Sequence, residues 1–296
     1  MPKYKFMQID AFTDRPLNGN PCAVLFDTDD LDSETMQAIA KEMNLSETAF
    51  IRTSQIADFG ARYYTLVGEI PLAGHPTIAT IYALLESGRL SFQGKPKEIT
   101  LELKDGPIKV EITPEDDGGV LILMSQRKPQ FLDTYDPEEV MPAFGLIRDD
   151  VLPDAPIQTV STGTPQLMVP LASLDALKSV AIDAPAFTKL KKRGDFFSPH
   201  LFVLQGITSK GDTFARHIGL PPDTPEDPFT GSATGGMAAY LWRYGLIQRH
   251  TFVAEQGHWM RRPGTAMVEV IGPPEDIENV KVGGRAVTVL VGEFFI

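Results

Sequence analysis

The sequence predicts an α+β fold of two pseudo-symmetric domains, each a curved, mostly antiparallel sheet or barrel wrapped around a central helix. Two segments with helical signals are apolar on nearly every side, so each must be enclosed by other elements. Short strand-like runs flank both segments and can supply the enclosing sheets. The two helical segments also match each other at a displacement of 157 positions, which indicates a duplicated unit.

The first half of the chain contains signals for strands, one surface helix and then the first apolar helix. Residues 5–13 alternate apolar and polar side chains, as in a half-buried strand, and a turn at 18–21 separates them from a short apolar strand at 22–26. Apolar residues at helical spacing between 31 and 43 predict a helix with Asp32 as its N-cap. The later predicted elements are strands at 47–51 and 62–65, the apolar helix at 76–86, and strands at 99–103, 108–112 and 120–124.

The internal similarity centres on the starts of the two apolar helices. Gly74-His75-Pro76-Thr77 aligns with Gly231-Ser232-Ala233-Thr234. Each helical stretch ends at a glycine suited to a C-cap, Gly88 or Gly245. A weaker match pairs the segments 19–21 and 163–165, each of which enters an apolar strand.

The domain boundary is predicted in the segment 125–150, which is rich in proline and aspartate. It separates an N-terminal domain at 1–125 from a C-terminal domain at 126–296. The last strand, at 286–291, is open to assignment to either domain.

Composition and charge exclude several classes of function. The chain has 27 basic and 39 acidic side chains, and a net charge of −12 disfavours nucleic acid or an anionic membrane as a partner. We expect a cytoplasmic protein, because no apolar run reaches the roughly 18 residues of a membrane span and the start lacks a signal-peptide core. The single cysteine, Cys22, is expected in the core, and the five histidines lack metal-ligand spacing. A metal site therefore has little support, and cofactor-dependent classes lose weight because the chain has no GxxxxGK(S/T) phosphate loop and no GxGxxG motif after a strand.

Both apolar helices begin in a way that suits an anion. Free backbone N–H groups and the positive end of the helix dipole lie at a helix N-terminus. Two related domains would bring two such ends to one cleft, which predicts a site for a small metabolite bearing a carboxylate. From spacing alone, the two glycines are equally explained as simple helix starts.

Six short motifs occur in a characteristic order: 9–13 (IDAFT), 19–21 (GNP), 44–50 (NLSETAF), 69–77 (EIPLAGHPT), 226–233 (EDPFTGSA) and 255–257 (EQG). Through these motifs nearly the whole chain resembles the phenazine-biosynthesis PhzF-like proteins, which share a diaminopimelate-epimerase-like fold. The resemblance implies a cofactor-independent isomerase that moves a proton within a small unsaturated carboxylate. It also implies a homodimer, because dimers are common in that family.

The resemblance assigns roles to particular residues of this chain. Glu47 matches the glutamate that acts as general acid and base, and His75 and Asp227 match its catalytic partners. Gly74, Gly231 and Ser232 are expected to bind the substrate. Two departures from the family pattern, Leu66 in place of proline and Phe229 in place of a smaller residue, are expected to reshape the pocket.

An amino-acid-type epimerase or racemase is one alternative. It would use Glu47 and Asp227 on opposite faces of the substrate. A thiol pair is unsupported, because Ala73 and Thr230 stand where the related thiol-dependent epimerases have cysteine.

Two further alternatives come from other classes. A metabolite-binding homologue would keep the fold without turnover. A serine hydrolase built from Ser232, His75 and Asp227 has the least support, because 230–234 lacks the GxSxG elbow.

Overall fold

The computed structural model describes residues 1–219 and 225–296 of the chain. Its N-terminal half contains a first set of strands and two helices. In chain order these are β1 Lys3–Ala11, β2 Asn20–Leu25, α1 Ser33–Met43, β3 Glu47–Arg52, β4 Phe59–Thr65, β5 Glu69–Ile70, α2 Gly74–Glu86, β6 Lys97–Leu103, β7 Gly106–Pro114 and β8 Val120–Ser125.

The C-terminal half repeats this pattern of strands around one long apolar helix. Its elements within the described residues are β9 Gln130–Tyr135, α3 Pro137–Val140, β10 Ile157–Ser161, β11 Pro165–Pro170, α4 Leu174–Ser179, α5 Ala184–Arg193, β12 Ser198–Val203, β13 Thr213–Ile218, β14 Glu226–Asp227, α6 Gly231–Arg243, β15 Thr251–Gln256, β16 Gly264–Ile271, β17 Asn279–Gly284 and β18 Ala286–Phe295. Short 3₁₀ turns lie at Met141–Phe144, Arg148–Asp150 and His258–Met260.

The two halves each form a sheet, and the two sheets have the same topology. The N-terminal sheet has the order β18-β1-β2-β3-β4-β6-β7-β8, and the C-terminal sheet has the order β9-β10-β11-β12-β13-β15-β16-β17. The third and fifth neighbouring pairs are parallel in each sheet, and all others are antiparallel. β8 pairs with β17 and joins the two sheets, while β18 returns to pair with β1.

Each sheet curves around its central helix. α2 contacts β18, β1 and β8, which lie at opposite ends of the N-terminal sheet order, and α6 contacts β10, β11, β16 and β17. Ten of the thirteen residues in each helix are buried, so both helices are enclosed on all sides. Gly88 and Gly245 follow the helix ends with φ of 73° and 64°, as the predicted caps require. The predicted α+β class of two pseudo-symmetric halves is confirmed.

Local signals also placed the surface helix correctly. The Asp32 carboxylate accepts a hydrogen bond from the Thr35 backbone N–H at 2.8 Å, which confirms the predicted cap of α1. The first strand ends at Ala11 rather than at 13, because Phe12 adopts φ 63° and leaves the extended conformation. The two-residue strands β5 and β14 were too short to predict from the sequence.

Strand register defines equivalent positions in the two halves. Glu47 lies opposite Cys22 between β3 and β2, and Ser198 lies opposite Gln166 between the corresponding strands β12 and β11. Ser198 therefore occupies the position in the C-terminal half that Glu47 occupies in the N-terminal half. A repeated ion pair supports this equivalence, because Arg62–Glu69 at 2.8 Å and Arg216–Glu226 at 2.7 Å join corresponding strands.

Candidate active site

The two central helices meet at their N-termini. A Cβ added to Gly74 would lie 2.7 Å from the Cα of Gly231, and a Cβ on Gly231 would lie 3.0 Å from the Cα of Gly74. The Gln126 side chain donates a 2.8 Å hydrogen bond to the Gly231 carbonyl and fixes the start of α6. Close backbone approach therefore explains both glycines, and the positive ends of both helix dipoles converge on one region.

A cavity of about 300 Å³ lies beside the paired helix starts. This volume suits a small metabolite. The lining comes from both halves of the chain and consists of 46–47, 65–66, 70–73, 163–166, 197–198, 217, 219, 227, 230 and 232.

Glu47 and His75 form a close pair at the N-terminal wall. Glu47 begins β3, and its side chain is 18% exposed at the cavity, whereas the His75 side chain behind it is 4% exposed. His75 Nε2 lies 3.2 Å from Glu47 Oε2, and this contact does not meet the geometry of a hydrogen bond. Burial lowers the pKa of His75 to about 3, so the imidazole is neutral at physiological pH.

Asn20 determines which nitrogen of His75 carries the proton. The Asn20 amide nitrogen donates to Asp227 Oδ1 and to the Phe229 carbonyl, each at 2.8 Å, and lies 3.1 Å from His75 Nδ1. Because an amide nitrogen donates and does not accept, Nδ1 must be the bare nitrogen. The neutral ring therefore carries its proton on Nε2, the nitrogen that faces Glu47.

Asp227 is held by hydrogen bonds to both of its carboxylate oxygens. Asn20 donates to Oδ1, and the Thr230 hydroxyl donates to Oδ2. Gln256 donates to the Asp227 backbone carbonyl at 2.7 Å and accepts from the Thr230 N–H at 3.2 Å. Burial raises the pKa of Asp227 to about 6, against the opposing effect of the two donors. Glu47 and Asp227 are thus linked through His75 and Asn20.

The structure places the expected substrate-binding residues at different depths. Ser232 lines the cavity, and its backbone carbonyl accepts from the Thr162 hydroxyl at 3.3 Å. Gly74 and Gly231 lie beside the cavity, outside its lining.

The serine-hydrolase arrangement is not formed. The ring nitrogens of His75 face Glu47 and Asn20, so His75 is not available as a base for Ser232.

Three other expectations can be compared with the structure. Cys22 is fully buried, and burial raises the pKa of its thiol, which confirms a core role. Leu66 lines the cavity as expected. The expectation for Phe229 was wrong, because its ring stacks on Phe12 with centroids 4.3 Å apart and lies outside the cavity lining.

Sequence reasoning missed a polar cluster on the C-terminal wall. Ser198, His217 and Gln166 line the cavity, and His200 lies behind them. Ser198 Oγ is 2.7 Å from His217 Nε2 and 2.8 Å from Gln166 Oε1. Ser198 is the register counterpart of Glu47, but their displacement differs from that between the helix starts, so the duplication visible in the sequence does not reveal it.

Other features of the described chain do not compete for this role. A larger cavity of about 710 Å³ lies at the far end of α2 near Tyr82 and Arg285, and it contains none of the predicted site residues. Within residues 1–219 and 225–296, no group of three or more His, Cys, Asp or Glu side chains is placed to hold a metal ion. No helix in the same ranges is long and apolar enough to cross a membrane.

Comparison with known proteins gives a consistent result across the chain. The PhzC-PhzF family, described as phenazine biosynthesis-like protein, matches residues 9–292. A Bacillus subtilis protein called uncharacterized isomerase YfhB is 36% identical over 272 residues, which cover 91% of this chain and 92% of that protein. A trans-2,3-dihydro-3-hydroxyanthranilate isomerase from Pseudomonas fluorescens is 32% identical over 287 residues, which cover 96% and 97% of the two chains.

Solved structures agree with these matches. The Bacillus anthracis phenazine biosynthesis protein of the PhzF family superposes with a TM-score of 0.89 at 33% identity, covering all of both chains. A hydroxyproline epimerase from Agrobacterium vitis gives a TM-score of 0.69 at 13% identity, covering 98% of this chain and 92% of the other. The second likeness extends to the fold alone, and it confirms that the architecture is epimerase-like.

Proposed function

This chain belongs to the phenazine biosynthesis-like family of isomerases, and from that premise we propose that Glu47 moves a proton within a small unsaturated carboxylate bound in the cavity between the two halves. Glu47 takes a proton from one carbon as the double bond shifts, and the protonated carboxyl returns that proton to another carbon. The reaction needs no cofactor, because the proton and the electron pair both stay within the substrate and the enzyme.

The pairing of Glu47 with a neutral His75 is the observation that carries this proposal. Glu47 borders the cavity, and the Nε2–H of His75 faces its carboxylate at 3.2 Å. A charged imidazolium in that place would form an ion pair and weaken Glu47 as a base. The low pKa of His75 avoids this, so the ring orients the carboxylate and leaves it able to accept a proton.

Asp227 is the proposed second acid–base partner. It lines the cavity from the C-terminal half of the chain, whereas Glu47 lines it from the N-terminal half. A chain of side-chain contacts through Asn20 and His75 connects the two carboxyl groups. With a pKa of about 6, its carboxyl can hold or release a proton close to neutral pH. We assign it to a substrate amine or to a proton relay.

The helix starts are the proposed site for the substrate carboxylate. The N-termini of α2 and α6 converge beside the cavity, where their free N–H groups and dipoles favour an anion. The Ser232 hydroxyl lies in the lining and is assigned a hydrogen bond to the same carboxylate. Gly74 and Gly231 contribute through their backbones, because they have no side chain that would push the two helix ends apart.

Proton NMR in deuterated buffer tests the role of Glu47. Wild type, Glu47→Gln and the control Glu42→Gln, on the exposed face of α1, are incubated with a panel of small unsaturated and amino carboxylates. We expect wild type and control to incorporate deuterium and shift a double bond, and Glu47→Gln to lose about 10²-fold or more in exchange while retaining binding. Equal exchange by Glu47→Gln would contradict the proposal.

Epimerisation is the second candidate function, favoured by the presence of two carboxyl groups, Glu47 and Asp227, in one cavity. Deuterium at a stereocentre without movement of a double bond would identify it. Saturable binding with no exchange on any member of the panel would instead indicate a non-catalytic metabolite-binding homologue.

The family resemblance also supports proposals about setting. We propose that the chain acts in the cytoplasm as a homodimer and, where the other enzymes of the pathway are present, in phenazine biosynthesis. Light scattering after size-exclusion chromatography tests the dimer, because a mass of 32.5 kDa would indicate a monomer.

A further inference from the structure

The C-terminal wall of the cavity carries a polar cluster that the proton-transfer chemistry does not use. We call Ser198, Gln166, His217 and His200 the acceptor wall. Three of its members are less than 8% exposed, and His200 is fully buried. Because buried polar groups are satisfied with few exceptions, the protons in this cluster can be assigned one after another.

The assignment starts from the backbone N–H of Ser198, which can only donate. It donates to Gln166 Oε1 at 3.2 Å and therefore fixes the orientation of the Gln166 amide. Ser198 Oγ lies 2.8 Å from the same oxygen. Two oxygens at that distance require a proton between them, and Oε1 has none, so the Ser198 hydroxyl donates to Gln166.

The remaining protons follow from that first step. His217 Nε2 lies 2.7 Å from Ser198 Oγ, whose only hydrogen is already used, so Nε2 must be the donor. A neutral His217 then has a bare Nδ1, which lies 3.4 Å from His200 Nδ1 and accepts from it. His200 Nε2 is left bare, and it is buried with no hydrogen-bond partner in the part of the chain that the structure describes. A bare lone pair is less costly there than an orphaned N–H.

We infer that Ser198 presents its remaining lone pair to the cavity and binds a hydrogen-bond donor on the substrate, a hydroxyl or an ammonium group. Ser198 determines specificity, and the other three residues position it. Gln166 accepts the proton of the Ser198 hydroxyl, His217 donates to one of its lone pairs, and His200 donates to His217. The same arrangement disfavours a second carboxylate or an ether at this wall, because neither can donate. Because His217 donates to Ser198, it cannot act as a base toward it, so the cluster does not activate Ser198 as a nucleophile. The inference rests on the proposed function for the reaction that follows binding.

Histidine tautomers test the proton assignment without any ligand. Long-range proton–nitrogen NMR on the ¹⁵N-histidine-labelled chain distinguishes bare from protonated ring nitrogens. We expect protonated Nε2 in His217 and protonated Nδ1 in His200, with signals assigned from His217→Asn and His200→Asn. A bare Nε2 in His217 would overturn the inference, because Ser198 would then donate to the ring.

Ligand selectivity tests the acceptor site itself. The probes are two pairs of ring carboxylates that differ by one donor, 3-hydroxyanthranilate with 3-methoxyanthranilate and anthranilate with benzoate, measured by calorimetry. In one of the two pairs, wild type is expected to bind the donor-bearing member more tightly than its partner, with an affinity up to about tenfold higher. Ser198→Ala is expected to remove that preference and to leave the other pair unchanged, while Ser198→Thr, which keeps the hydroxyl, retains it.

Two results would overturn the inference: no preference in wild type, or an equal loss of affinity for both members of a pair in Ser198→Ala. Both are separable from failure of the proposed function. Glu47→Gln is expected to keep the binding preference, and only its exchange rate reports on Glu47 as the base.

Discussion

Replacing Gly74 with alanine tests whether contact between the two helix starts holds the site together. The added Cβ would lie 2.7 Å from Gly231 Cα, whereas ordinary carbon contacts begin at 3.4 Å, so the helix ends must separate by about 0.7 Å. The obstacle is backbone, which no rotamer change can move away. Overpacking of this kind costs about 1–3 kcal/mol, and the better helix propensity of alanine offsets at most about 1 kcal/mol.

The assays are urea unfolding and the deuterium-exchange measurement. The matched control is Gly68→Ala, because a Cβ on Gly68 meets nothing within 4 Å. We expect Gly74→Ala to lower the free energy of unfolding by about 1–2 kcal/mol with an unchanged m-value, and the control to change it by less than about 0.5 kcal/mol. Exchange should fall at least about tenfold, because displacements below 1 Å in a reacting geometry are costly.

Agreement between Gly74→Ala and Gly68→Ala in both assays would refute the reasoning. Gly231→Ala supplies a further check, since its Cβ would lie 3.0 Å from Gly74 Cα. The double variant should lose less stability than the two single losses together, because the first substitution has already opened the contact.

Three further predictions concern buried polar groups. Asn20→Ala leaves Asp227 Oδ1 and the Phe229 carbonyl without their donor, so urea unfolding should show a loss of about 2–4 kcal/mol. The pKa of Asp227 is about 6 in the folded chain, above its ordinary value of 3.8. Between pH 3.8 and pH 6 the folded state therefore binds more protons than the unfolded state, so this carboxyl lowers the stability of the fold as pH rises through that range. The free energy of unfolding of Asp227→Asn, relative to wild type, should therefore rise by up to about 3 kcal/mol between pH 4 and pH 8, and solvent screening at the cavity reduces this figure. A difference between the two proteins that does not vary with pH would contradict the prediction. The pKa of His200 lies well below 6.5, so it takes up its proton only on unfolding, and wild-type stability falls as pH drops below 6.5. His200→Asn, which retains a donor near the Nδ1 position, should make the pH dependence shallower by about 1.4 kcal/mol per pH unit, measured by urea unfolding from pH 6 to pH 4.

The duplication was clearest in the sequence where the two halves keep a constant displacement. The helix starts at Gly74 and Gly231 are 157 positions apart, and the C-cap glycines keep that spacing. The displacement falls to 151 positions between Glu47 and Ser198, and to 154 between Tyr63 and His217, which occupy equivalent positions opposite β5 and β14. Loops of different length cause this drift, because surface connections tolerate insertions that a packed helix does not. The acceptor wall therefore needed strand register, which the sequence does not display.

The site residues likewise include some that the sequence could indicate and others that only the folded chain brings together. The proposed roles of Glu47 and Asp227 came from the family motifs, because a glutamate at a strand start and an aspartate before a helix have ordinary structural explanations. The Asn20 link between them joins side chains more than 200 positions apart, Asn20 and Asp227, and no local pattern encodes such a contact. Burial and hydrogen-bond partners, which depend on the folded chain, are what set the protonation of His75.

The two halves share a fold but differ in chemistry at equivalent positions, and this difference bears on the reaction. A racemase with a base from each half would place a second proton acceptor at the counterpart of Glu47. That counterpart is Ser198, whose proton is held by Gln166 and whose neighbour His217 donates to it and so cannot act as its base. Asp227 is the other carboxyl in the described lining, and it comes from β14, not from the strand that corresponds to β3. This asymmetry favours one base on one wall and substrate recognition on the other, which is what a proton shift by a single glutamate requires. If Asp227→Asn retained exchange while Glu47→Gln lost it, the single-base scheme would hold. If both variants lost exchange, the wild-type product would decide, because deuterium at a stereocentre without movement of a double bond identifies the two-carboxyl epimerase.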